Sequence, residues 1–186
     1  MNILLGFAPF LAFAIIERLV GVQAGLLAGA LVSAGLLIRD VLINKRGIKI
    51  LEIGTLILFV GLALYAMLRG AQWSMAAVRL RVDAGLLLIV LISLAIGKPF
   101  TLQYAREQVS RELWDSPAFM HVNIVITAAW ALAFVVMVAA DVLLTYAPTV
   151  PRSVGIITTV AALVAAVKFT GWYPSHRRKM LGDARG

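Results

Sequence analysis

Six stretches of this chain, near residues 3–20, 22–38, 51–68, 76–97, 122–146 and 153–173, stay apolar over lengths that suit a bilayer better than water. A helix needs about 20 such residues to cross roughly 30 Å of hydrocarbon, and an open strand would leave its backbone groups unpaired in lipid. The period-two alternation of a membrane barrel is missing. The pattern predicts an all-α fold: a polytopic membrane helix bundle with about six transmembrane helices in three hairpins, forming one integral membrane domain over residues 1–186. At 62% hydrophobic and 14% charged residues, a soluble domain of this size could not hide its apolar surface. Glu17 and Arg18 interrupt the first run, and Arg79, Arg81 and Asp83 the fourth, so a five-span arrangement stays open. The first run lacks the basic start and small-residue cleavage site of a signal peptide, so it reads as a retained span.

Charge sets the orientation. The net charge is +8, but the basic residues fall between apolar runs instead of forming one face, which speaks against nucleic acid as a partner. With six spans, one side receives Arg39, Lys45, Arg46, Lys49, Lys98, Arg106, Arg111, Arg177, Arg178, Lys179 and Arg185. The other receives Arg18, Arg69, Arg79, Arg81 and Arg152. Eleven against five places both termini in the cytoplasm by the positive-inside rule, with the basic loops near anionic membrane lipids.

The longest connection, residues 98–120, carries Leu102, Ala105, Val109 and Leu113 at helical spacing with Arg106, Glu107, Arg111 and Glu112 between them. That reads as an interfacial amphipathic helix over 101–114. Arg106, Arg111 and Trp114 make it a candidate docking surface. In the second span, Gly21, Gly25, Gly29 and Ser33 recur every fourth residue, a candidate helix-packing ridge that lets another backbone come close. Bundle packing is favoured there over a homodimer face. Each predicted hairpin also has an early glycine in its second helix, at Gly25, Gly85 and Gly155.

Ionisable residues inside spans are costly and are functional candidates by default. Glu17, Arg18, Arg79, Arg81, Asp83 and Asp141 all fall toward the non-cytoplasmic ends of their helices and form a candidate polar cluster, either a proton-accessible vestibule or a set of interhelical anchors. Glu52 and Lys168 sit at similar depth near the cytoplasmic side, a candidate ion pair. Pro9 removes a backbone bond from the first run and predicts a kink. No phosphate loop, HExxH, GxSxG or aspartate-rich motif is present. Cysteine is absent and the two histidines stand far apart. The reading is of a non-enzymatic protein with no catalytic, cofactor or metal residues.

Phe7-Ala8-Pro9-Phe10 near the start, the short turn into the second run, the basic loop before the third, Gly97-Lys98-Pro99-Phe100 after the fourth, and Trp114, Asn123 and Trp130 leading into and along the fifth occur in an order that resembles the intracellular septation protein A family of bacterial inner-membrane proteins. The likeness covers most of the chain. The segment from Thr101 to Ala118 is longer and more charged than that family's pattern, and Asn123 and Trp130 are more widely spaced. The resemblance implies a role in septation or envelope maintenance through membrane-protein partners, in the bacterial inner membrane, with no catalytic residues to carry over. The alternative from the residues alone is a small transporter or channel subunit using the polar cluster.

Overall fold

The computed structural model describes residues 3–45, 47–147 and 149–183. Of the basic residues counted above, Arg46 and Arg185 lie outside the described residues, as do the side chains of Arg152, Arg178 and Lys179. Among the described residues, eight α-helices follow one another: α1 (Ile3–Gly6), α2 (Ala8–Leu19), α3 (Val22–Ile38), α4 (Ile50–Arg69), α5 (Met75–Ala95), α6 (Phe100–Arg106), α7 (Pro117–Tyr146) and α8 (Arg152–Asp183). Among the described residues there is no strand, so the all-helical expectation is met.

By length and composition, four to five of the six expected spans are met among the described residues. Val22–Ile43, Ile50–Arg69, Pro117–Tyr146 and Ser153–Arg177 are each long and apolar enough to cross a membrane, and a fifth arises if α5 and α6, bent by 74°, act as one broken span. The first run falls short because Pro9 splits it. Proline cannot donate a backbone hydrogen bond, so it sits in the first turn of a helix, and α2 restarts there with the Phe7 carbonyl accepting from both Phe10 and Leu11. The 12 residues of α2 rise only about 18 Å. The three-hairpin grouping is also too simple, because α4 packs more extensively on α3 than on α5, and α5 more on α7 than on α4.

Turn chemistry explains the other boundaries. The Ser74 and Ser116 hydroxyls cap α5 and α7 by accepting from Ala77 and Phe119 amides, at 3.2 and 3.1 Å. Pro117 therefore opens α7 instead of closing a preceding helix. Gly70 ends α4 in the left-handed conformation that glycine adopts without strain.

Close approach is enabled by glycine. Gly25 lies against Glu17, Gly85 against Leu58 and Gly155 against Leu144, each on the preceding long helix. Along α3, Gly25, Gly29 and Ser33 are buried against Glu17 of α2 and Phe59 and Thr55 of α4, while Gly21 forms the turn before the helix with open space around it. The ridge is thus occupied within the chain.

Two apolar clusters fill the bundle. One joins Phe13, Leu26, Phe59, Val78 and Val82; the other joins Phe7, Leu86, Val90, Phe100, Trp130 and Phe134. Outward faces remain apolar, with Leu31, Ile57, Leu68, Leu132 and Ile157 exposed, the reverse of a water-soluble surface.

The predicted interfacial helix over 101–114 is not formed as such. Only the seven residues of α6 are α-helical, followed by turns and a short 3-10 segment, Arg111–Leu113. Nor does α6 lie on the surface, since Phe100, Thr101, Leu102 and Tyr104 are buried. The Thr101 hydroxyl holds α6 to α7 through the Asn123 carbonyl at 3.0 Å and the Thr127 hydroxyl at 2.8 Å. Ser93 holds the bend: its hydroxyl donates to the Val90 carbonyl at 2.7 Å and accepts from the Phe100 amide at 3.2 Å. Gln103 ties α6 to α4, accepting from the Ile50 amide at 2.7 Å and donating to the Ile48 carbonyl at 3.3 Å.

Candidate functional site

At one end of the bundle, four of the six residues of the predicted polar cluster come together. Glu17 near the end of α2, Arg79 and Asp83 in the first turns of α5, and Asp141 near the end of α7 interact electrostatically, with Asp83 and Asp141 close enough for their carboxyl groups to act on each other directly. Glu17 and Asp141 are only 4% and 3% exposed, while Asp83 and Arg79 are half-buried, so three helices bring two buried carboxyl groups, a third carboxyl and one guanidinium together among apolar side chains. One oxygen of Glu17 and one of Asp141 are buried without a hydrogen-bond partner. A buried carboxylate is expensive unless it is paired or carries a proton. Gly25 creates the space for this arrangement, because a Cβ there would meet the Glu17 backbone nitrogen at 2.9 Å.

Arg18 and Arg81 stand apart from the cluster. Arg18 is exposed, and the Arg81 guanidinium donates to the Ala77 carbonyl at 2.6 Å while lying 4.6 Å over the Trp73 ring. Helical phase accounts for the split: residues 79 and 83 share a face of α5 that residue 81 does not.

At the opposite end a second charged centre forms around Lys49. Its ammonium contacts Asp40, Glu52 at 3.2 Å and Glu107 at 3.0 Å, with the Tyr104 ring 5.3 Å away. The predicted partner of Glu52 was Lys168; instead Lys168 is exposed on α8 and Glu52 pairs with Lys49 one turn away. Asp40 reaches the centre from a π-helical turn, Arg39–Ile43, which continues α3, and it also accepts from Asn44 at 2.8 Å and Arg39 at 3.2 Å. Burial opposes the charge on Lys49, but hydrogen bonds to Asp40 and Glu107 and the charge of Glu52 outweigh it and raise the ammonium above its ordinary value. Burial likewise opposes ionisation of Glu107, yet the hydrogen bond and charge of Lys49 help hold its carboxyl below the usual range. Sequence reasoning missed Asp40, Lys49 and Glu107. The one available signal was an acidic residue, Asp40, just after a 17-residue apolar helix.

The candidate docking residues do meet one another: the Arg106 and Arg111 guanidinium groups lie 5.2 and 5.7 Å over the Trp114 ring. Three aromatic side chains distant in sequence also converge. Phe7 stacks on Trp130 at 4.6 Å, and Phe100 meets both edge-on at 6.3 and 6.4 Å. Among the described residues no three His, Asp or Glu side chains form a group that could hold a metal ion. No protein-family model, curated protein or solved structure matches the chain.

Proposed function

We propose that this chain is a multi-pass integral membrane protein that binds and passes on protons at Glu17, Asp83, Asp141 and Arg79, acting as a small transporter or a subunit of one. The observation that carries this reading is the pair of buried, partnerless carboxylate oxygens on Glu17 and Asp141 beside Asp83. Ionisable groups sunk among apolar helices are costly and are candidates for ion or proton pathways by default. On this reading α2 completes a sixth crossing, tilted or locally thinning the bilayer, both termini face the cytoplasm of a bacterial cell, and the acidic cluster lies toward the outer side. The test is proton flux into liposomes reconstituted with the purified chain and loaded with a pH-sensitive dye. Flux above that of empty liposomes, abolished by Asp83→Asn or Asp141→Asn and retained by Arg81→Gln, supports the reading. Flux equal to empty liposomes rejects it.

A second reading is support of septation or envelope maintenance through membrane-protein partners in the inner membrane. It is favoured by the way the resemblance motifs, distant in sequence, pack as one aromatic unit of Phe7, Phe100 and Trp130. A division or envelope defect in cells lacking the chain, rescued by Asp83→Asn but not by charge reversal at Arg106 and Arg111, would select this reading over proton transfer.

A further inference from the structure

Beside the Lys49 centre, a cavity of about 380 Å³ opens between the loop before α4 and the segment after α6, with Ile48, Arg106, Arg111 and Trp114 in its lining. The Lys49 and Glu107 charges that also border it face each other at 3.0 Å. Gln103, which also lines it, is engaged with the Ile50 amide and the Ile48 carbonyl, and the polar side chains that remain, Arg106, Arg111 and Trp114, are donors. Arg106 Nε and the Trp114 indole N–H are both buried, and neither has a hydrogen-bond partner. Guanidinium and indole groups carry no acceptor lone pairs, so they cannot satisfy one another. Two guanidinium groups within 5.2 and 5.7 Å of a single ring also repel each other unless a negative charge stands between them.

Such a site calls for a compact anion with several acceptor oxygens, and the fork of an arginine matches phosphate in shape. The setting points to the source. Ile43 and Leu113 flank the loops at 74% and 50% exposure, at the end of helices whose outward faces are apolar, where headgroups meet acyl chains. We propose that the cavity binds the phosphate of an anionic lipid headgroup through Arg106, Arg111 and the Trp114 N–H. This site is independent of the acidic cluster at the other end of the bundle.

The experiment is native mass spectrometry of the full chain, released from detergent containing equal amounts of phosphatidylglycerol and phosphatidylcholine, which differ in net headgroup charge. The expected result is a preference for phosphatidylglycerol of about tenfold, the effect of one charge-assisted contact. Arg106→Gln with Arg111→Gln should bring the preference close to one, while Arg18→Gln with Arg69→Gln, at the opposite end, should leave it intact. Trp114→Phe keeps the ring and removes only the donor, so a several-fold loss with an unchanged melting temperature separates lost binding from lost folding. A preference that survives both cavity variants overturns the proposal. So does inorganic phosphate that protects the detergent-solubilised chain against melting in an Arg106-dependent way while no lipid preference is seen, which would assign the cavity to a soluble phosphate.

Discussion

The Phe7 ring stacks on the Trp130 indole with 4.6 Å between centroids, and the same indole donates to the Thr170 hydroxyl at 3.0 Å. One side chain in the middle of α7 thus joins the start of the chain to α8. Phe7→Ala empties the centre of the larger apolar cluster and should cost about 3–5 kcal/mol, while Trp130→Phe keeps a stacking surface and loses the hydrogen bond, about 1 kcal/mol. Thermal melts of the detergent-solubilised variants, ranked Phe7→Ala below Trp130→Phe below wild type, check this order. Equal melts for Phe7→Ala and wild type would contradict it.

Gly25→Ala should destabilise by about 1–3 kcal/mol, because its Cβ would sit 2.8–3.0 Å from Glu17 Cβ and backbone atoms, which cannot rotate away. Gly35→Ala, with nothing within 4 Å, should be neutral or stabilising. A larger penalty at Gly35 than at Gly25 would mean that α2 does not pack where described.

The Lys49 centre gives stability two pH limits. Glu107 titrates lower in the folded chain than its ordinary 4.5, so the stability it contributes is present above that value and is lost as pH falls through the folded pKa. Lys49 titrates higher than its ordinary 10.5, so its contribution is present below that value and disappears as pH rises through the folded pKa. Stability against pH should show a plateau between these values, and Lys49→Gln should remove the alkaline limit while lowering the plateau by about 3–5 kcal/mol, since it strands buried carboxylates. An unchanged plateau in Lys49→Gln would exclude the centre as a structural hub.

How much of this was legible in the sequence depends on the residue. Helices were, because apolar length dictates them, and Glu17, Asp83 and Asp141 were, because charges within apolar runs stand out. Lys49 was not: in a loop of four basic residues it looked like orientation signal, and only the fold shows three acidic side chains meeting it. The failure at α6 has a local cause. Leu102 to Leu113 has helical spacing, but Ser93 and Gly97 turn the chain so sharply that α6 is pulled into the core before a second turn can lie along the surface.

Ser93→Ala leaves the buried Phe100 amide without its acceptor and should cost about 1–3 kcal/mol. The loss should appear first as faster hydrogen exchange at residues 98–102, ahead of any change in α3. Unchanged exchange there would show that Pro99 alone sets the bend.

Topology is checked by single cysteines at Asn44, Ser74, Ser110 and Ser175 in a chain that has none of its own. With six crossings, a membrane-impermeant thiol reagent applied to intact cells should label only position 74. Labelling at position 44 or 110 would invert the orientation.

Gln103 links the bend at α6 to the start of α4. Its single amide closes the first donor of α4 and the carbonyl two residues earlier, so α6 cannot swing out without unpairing the start of α4. The bend at α6 and the start of α4 are therefore tied through one side chain, so that loss of the Gln103 amide would loosen both at once.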